Sequence, residues 1–273
     1  MEPLLILGLL AVGVGASIVG TIFGIGGGIF FVPVLTIFLG LSPNEAVAVS
    51  LVGIVATSTG AASHFVKTGA ANIRLGLLLE ITTVVGAMIG AIIAIYIWDW
   101  VILCVFASIL IYSGTSMILR KERIIEPPEK CNDMCFSYHD DRDGTEKNYE
   151  VVNVPGGLAV SGAAGVLSSM TGVGGGTIKV PLMNIYMHVP IKVATATSSY
   201  MIGITAFTGA VVYFLHGELL LDHAAAIAIG ALLGSLIGTR ITKKIDAAPM
   251  RKYFSILLFA ISVIVLLRAG GVL

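Results

Sequence analysis

Charge is scarce in this 273-residue chain: only 12% of its residues are Asp, Glu, Lys or Arg, about half the share in soluble globular domains. That scarcity excludes a water-solvated surface. The charges also balance, with 16 basic and 16 acidic residues, so the cationic excess of a nucleic-acid binder is missing. Cysteine is nearly absent as well. Cys104 lies in an apolar run and Cys131 and Cys135 in a polar one, which implies no disulfide framework. Cys131, Cys135 and His139 do not have the CxxC spacing of zinc modules, so no metal is expected. The apolar stretches also lack the paired catalytic groups of an intramembrane enzyme, since Glu80 and His64 are their only candidates. Gly24-Ile25-Gly26 and Gly174–Lys179 superficially look like nucleotide loops, but no strand precedes either and the full GxxxxGK[ST] spacing is missing. No cofactor and no ATP-driven step are implied.

Apolar residues are what is abundant. They make up 56% of the chain, and the mean hydropathy is +0.98. Leu75–Ile97 is broken only by Glu80, and Val101–Leu119, Val193–Leu215 and Phe254–Leu267 carry no charge. These runs approach the roughly 20 residues a helix needs to cross hydrocarbon. The opening Pro3–Gly20 stretch has no basic leader region and runs into a motif repeated later, so it reads as a retained first helix. The expected fold class is an all-α integral membrane protein.

The chain is duplicated. Phe23-Gly24-Ile25-Gly26-Gly27-Gly28-Ile29-Phe30-Phe31-Val32-Pro33 returns as Thr171-Gly172-Val173-Gly174-Gly175-Gly176-Thr177-Ile178-Lys179-Val180-Pro181, an offset of 148 positions. The same offset superposes Ala46/Ala194, Ser50/Ser198, Thr57/Thr205, Gly69/Gly217, Gly86/Gly234 and Gly90/Gly238 without a gap. Such duplication is common in transporters, which bind substrate between the repeats. We read residues 1–119 as a first membrane repeat, 120–153 as a linker and 154–273 as a second repeat. Each repeat divides into five segments, at about 4–23, 28–41, 45–66, 75–97 and 100–119, then 155–171, 176–189, 193–215, 223–239 and 250–268. The linker's Pro127-Pro128, its Asp143-Gly144 turn signal and the runs Phe136–His139 and Tyr149–Val152 suggest a small β-hairpin.

Basic residues collect in cytoplasmic loops. If all ten segments cross the bilayer, 14 of the 16 Lys and Arg fall on one side; if 28–41 and 176–189 merely dip in and return, they divide 8 against 6. An odd number of crossings per half is therefore expected, which inverts the second half relative to the first. It also puts both termini outside and the linker in the cytoplasm.

Three adjacent glycines lower helix propensity by about 1 kcal/mol each against alanine. The helices should therefore break at Gly26, Gly27 and Gly28 and at Gly174, Gly175 and Gly176. Backbone N–H groups exposed by a break form an anion site without formal charge; the alternative is that the glycines serve a tight turn or close packing. Lys179, three residues past the second break, is an intramembrane cation and hence a candidate for function, although it could also snorkel. Its counterpart in the first half is Phe31. Asn44, Ser50, Thr195, Thr197 and Ser198 offer polar atoms for an oxyanion or, equally, for helix packing. Glu80, whose counterpart is Ala228, and His64 are candidates for coupling to a proton.

At Gly24–Pro33 and Gly172–Pro181 the chain resembles the TauE/SafE sulfite exporter family, whose members carry a GxGGG-x-x-x-VP element in each half. The Ala194-Thr195-Ala196-Thr197-Ser198 run is also similar. The resemblance covers the membrane portion. It implies a secondary transporter in the cell membrane, often an exporter, of small sulfur-containing anions such as sulfite or organosulfonates, driven by a proton or ion gradient. The first half departs by carrying Val47-Ala48-Val49 where the second has Thr195-Ala196-Thr197. A channel-like or regulatory membrane protein for another small anion is the alternative.

Overall fold

The computed structural model describes residues 3–119, 134–140, 145–242 and 247–270. Five helices form first: α1 (Pro3–Phe23), α2 (Gly28–Leu39), α3 (Pro43–Lys67), α4 (Ile73–Tyr96) and α5 (Asp99–Leu119). A two-stranded antiparallel hairpin follows, β1 (Cys135–Asp140) with β2 (Thr145–Glu150), in a register that sets Phe136 opposite Tyr149. Then come α6 (Val154–Thr171), α7 (Gly176–Pro181) with a π-helical turn at Leu182–Tyr186, α8 (Ile191–Leu215), α9 (Leu221–Thr242) and α10 (Ala247–Ala269). Among the described residues, six helices are long and apolar enough to cross a membrane. The protein is thus an all-α integral membrane protein carrying one small hairpin.

Local signals set the helix boundaries. Ser42 and Glu45 close a reciprocal capping box on α3, with Pro43 in its first turn, and Asn72 caps α4 by accepting from the Leu75 N–H at 3.0 Å. α2 has only 12 residues, about 18 Å at 1.5 Å each, short of a ~30 Å hydrocarbon core. The matched segment of the second half is not a regular helix. Pro181 can donate no N–H, and the ladder re-forms beyond it with π geometry, although Pro33 sits inside α2 without such a change. The second hairpin strand is Thr145–Glu150 rather than the expected Tyr149–Val152. The Asp143-Gly144 turn lies outside the described residues.

The helices pair across the halves: α1 with α9, α4 with α6, α3 with α8, and α5 with α10. Small residues make this possible, as in helix association in lipid generally. A Cβ on Gly86 would strike the Gly162 carbonyl and one on Gly90 the Val166 carbonyl; at the repeat-equivalent positions, Gly234 meets the Val14 carbonyl and Gly238 the Ile18 carbonyl. The outward faces are apolar, with Ile81, Val85 and Met88 on α4 and Ile229, Leu233 and Leu236 on α9 all exposed. Exposed Trp98 and Trp100 stack between α4 and α5 with ring centroids 6.3 Å apart, the amphipathic rings expected at a membrane interface.

Candidate functional site

Both glycine-rich breaks are observed. Gly24, Gly26 and Gly27 take φ of 70°, 86° and 84°, and Gly172, Gly174 and Gly175 take 68°, 86° and 71°, left-handed values that disfavour any residue with a Cβ. The two loops face each other. Gly28 lies against the Gly172 carbonyl and Gly176 against the Gly24 carbonyl, so a Cβ on either would overlap the opposing loop. Ser50 donates to the Gly172 carbonyl at 2.8 Å, and its counterpart Ser198 donates to the Gly24 carbonyl at 3.3 Å. Such reciprocal contacts are what a local two-fold relation between matched elements produces. Ile54 and Ile202 cover Gly26 and Gly174, so side chains fill the space beside these glycines.

The charge-bearing part of the site lies one helical turn further on. Lys179 is fully buried, and its backbone N–H donates to the Gly175 carbonyl at 2.9 Å. Its Nζ donates to Glu80 Oε2 at 3.2 Å and to Thr205 Oγ1 at 2.7 Å. The Thr205 hydroxyl in turn donates to Glu80 Oε1. Three elements therefore close one triangle: α7 brings the cation, α4 the carboxylate and α8 the hydroxyl. The two charged side chains are 0% and 4% exposed, which makes this a desolvated ion pair rather than a snorkelling lysine. Removing one partner of such a pair costs about 3–5 kcal/mol, because the other charge is left buried and unpaired.

The remaining sequence candidates are dispersed. Thr197 is occupied, accepting from the Asn72 backbone N–H at 2.9 Å. Thr195 turns its methyl toward Gly24. Asn44 sits in the first turn of α3, where its Oδ1 is enclosed without a partner. His64 lies in the last turn of α3, edge-on to Phe65. None of these four hydrogen-bonds to the triangle among the described residues. Thr205 was missed by sequence reasoning, although it stands seven residues, or two helical turns, beyond Ser198 on the same face of α8. Beside the second break is a cavity of about 20 Å³ lined by Phe23, Ile25, Ser113, Ser116, Gly176, Thr177 and Val180. Thr177 Oγ1 has no partner in the structure, and the volume suits one water molecule.

The linker does more than connect. Tyr149 is only 1% exposed and accepts from Asn72 Nδ2 at 2.8 Å, while the Val152 N–H donates to the Met187 carbonyl at 3.2 Å. The hairpin is thereby fastened beside the cap of α4 and the π-helical turn. Burial pushes the Tyr149 phenol up to about 12, partly opposed by the Asn72 hydrogen bond. Cys135 is disulfide-bonded where no disulfide had been expected, which removes its thiol from any metal site. Cys131 lies outside the described residues.

A buried ion pair on broken helices within a bundle of long apolar helices is an arrangement that multi-pass membrane transporters use. The sulfite exporter TauE/SafE family model matches residues 9–265, and the chain belongs to that family. It is 28% identical over 260 residues to the probable membrane transporter YunE of Bacillus subtilis, covering 93% of this chain and 94% of that protein. It is 26% identical over 284 residues to a probable membrane transporter of Haemophilus influenzae, covering 95% and 97%. A 107-residue stretch, 38% of this chain and 22% of the relative, is 35% identical to sulfite exporter TauE/SafE family protein 1 of Arabidopsis thaliana. No solved structure matches the chain.

Proposed function

We propose that this protein is a secondary transporter, in export mode, of small sulfur-containing anions such as sulfite or organosulfonates, working by alternating access between two inverted repeats. The observation that carries the reading is Lys179: a fully buried ammonium in the first turn after a helix break, held by Glu80 and Thr205. A cation in that position gives an anion its charge partner, while the adjacent breaks supply N–H dipoles. Contact pairing of matched segments across the halves supports a duplicated unit. The distribution of Lys and Arg supports inversion, with both termini outside, in the cell membrane. Gly26, Gly27, Gly28, Gly174, Gly175 and Gly176 then act chiefly by letting the two loops meet, and Ile54 and Ile202 must move for an anion to reach them.

The test is flux through the full chain in proteoliposomes, with sulfite and methanesulfonate as probes. Saturable uptake that Lys179→Met abolishes is the expected result. Non-saturable flux would move the reading to a channel, and unchanged affinity in Lys179→Met would remove Lys179 from the site.

A further inference from the structure

We propose that the seam between α4 and α8 is a gate to the Lys179, Glu80 and Thr205 site, latched by Tyr149 of the hairpin through Asn72 and Thr197 and blocked midway by Met201. This rests on the small-anion transport reading and extends it by naming one mouth of the path and the residues that close it.

The seam is built as three rungs. Asn72, Gly76 and Glu80 stand four residues apart along α4, with Asn72 as its N-cap, and Thr197, Met201 and Thr205 stand four apart along α8. Each set therefore lies on one helix face. The outer rung is polar, with the Asn72 N–H donating to Thr197 Oγ1 at 2.9 Å. The inner rung is the site itself, where Thr205 donates to Glu80. Eight residues separate these rungs on either helix, about 12 Å at 1.5 Å each. The middle rung is apolar. A Cβ on Gly76 would come within 3.2, 3.3 and 3.4 Å of Thr197, Tyr200 and Met201, so α8 lies directly on that glycine and the fully buried Met201 fills the seam.

The hairpin covers the outer rung. Tyr149 accepts from Asn72 Nδ2 while Asn72 Oδ1 caps α4, so Asn72 ties together the hairpin, α4 and α8. Phe136 and Tyr138 flank the Tyr149 ring, each with its centroid 6.0 Å away. Tyr149 also belongs to one buried apolar cluster with Leu75, Leu79, Val180, Met183 and Met201. That cluster reaches Leu79 and Val180, the sequence neighbours of Glu80 and Lys179.

Such a closure can open without stranding polar groups. When the hairpin lifts, the Tyr149 hydroxyl, the Asn72 amide and the Thr197 hydroxyl can exchange their bonds for water, so only the small net value of each bond is lost. Met183 and Met201 are unbranched thioethers that repack readily. The matching seam of the other half has no such device. At the 148-position offset Asn72 corresponds to Leu220, Thr197 to Val49 and Met201 to Gly53, and Tyr149 lies in the linker, outside both repeats. The duplicated scaffold thus packs α3 on α9 without a latch, which makes the latch an addition to the fold rather than a requirement of it. On the topology proposed above the latched mouth faces the cytoplasm, and an anion bound for export loads through it.

The experiment uses the purified full chain carrying Met201→Cys and 2-sulfonatoethyl methanethiosulfonate, a water-soluble anionic thiol reagent. Modification is read by peptide mass at position 201, so the native cysteines stay in place. The thiol at 201 should react far more slowly than free cysteine. Tyr149→Phe keeps the ring and removes the hydroxyl, and should raise that rate about two- to tenfold, the factor that one hydrogen bond is worth. Ile227→Cys, buried in the α3–α9 seam, should show no such rise. A rate unchanged by Tyr149→Phe, a parallel rise at both positions, or a thiol at 201 as reactive as free cysteine overturns the gate. Leu79→Cys, in the same cluster, takes the place of Met201→Cys if that chain does not fold. Failure of both sulfite and methanesulfonate to cross proteoliposomes carrying the wild-type chain would instead overturn the transport reading, and the gate's role with it. The reactivity comparison uses no substrate, so it separates that failure from a failure of the latch.

Discussion

Replacing Lys179 by Met keeps the length of the side chain and removes its charge, leaving the Glu80 carboxylate in place with 3% residue exposure and only the Thr205 hydroxyl. Two hydrogen bonds vanish, at 3.2 and 2.7 Å, while the apolar stem remains. Breaking a buried pair from one side costs about 3–5 kcal/mol, roughly a hundred- to a few-thousand-fold in the folding equilibrium. Lys179→Met/Glu80→Met removes both charges at similar volume, and such replacements are often neutral or stabilising by about 1–4 kcal/mol. Reversible unfolding in mixed micelles should therefore give a markedly weakened single variant and a double variant near wild type. Neither should transport. A loss under about 1 kcal/mol in the single variant would refute the account, because it would mean that water reaches the pair. So would a double variant as unstable as the two singles combined.

Gly28→Ala and Gly176→Ala should lower the melting temperature, because each Cβ meets the carbonyl of the opposite loop, whereas Gly15→Ala, with nothing within 4 Å, should leave it unchanged or raise it; equal melting of all three would remove the close-approach argument. Tyr149, with its folded value raised from 10.0 to about 12, contributes stability that is whole below pH 10 and is lost as pH rises toward 12, so Tyr149→Phe should unfold with a weaker alkaline dependence over that window. Epitope tags at both termini should be reachable from outside in intact cells; a cytoplasmic C-terminus would overturn the inverted-repeat reading. Phe31→Lys should be poorly tolerated alone and partly rescued by Ala228→Glu, since these positions match Lys179 and Glu80, as read by yield and melting temperature.

Segment boundaries were legible because hydropathy falls off sharply where helices end. Nine of the ten expected spans start and stop within a few residues of their helices, while the seventh, expected over 176–189, is helical as α7 only to Pro181 and continues as the π-helical turn to Tyr186. The breaks were legible too, since three consecutive glycines have one physical consequence wherever they stand. What the glycines face was not legible. Propensity predicts a break equally well whether the freed backbone meets an anion or another backbone, and only the structure sets Gly28 against Gly172 and Gly176 against Gly24. Ser50 and Ser198 looked like ligands because a hydroxyl suits an oxyanion; in the fold each binds a carbonyl of the other half. Glu80 and Lys179 each stood out alone as a charge in an apolar run. Their pairing spans 99 positions, a separation that no helical periodicity encodes.

The scaffold is closely paired and its charge is not. In the first half Phe31, on α2, stands against Gly53 on α3, with Ile227 of α9 beside them. In the second half Lys179, on α7, is met by α8 and α4. The same three kinds of segment converge twice, once around an aromatic ring and once around an ion pair. If the pair served stability alone, an apolar set would do as well, as the first half demonstrates with Phe31 fully buried. A retained buried charge therefore points to function. Because Lys179 stands beyond the second break and Phe31 beyond the first, the two loops need not act alike.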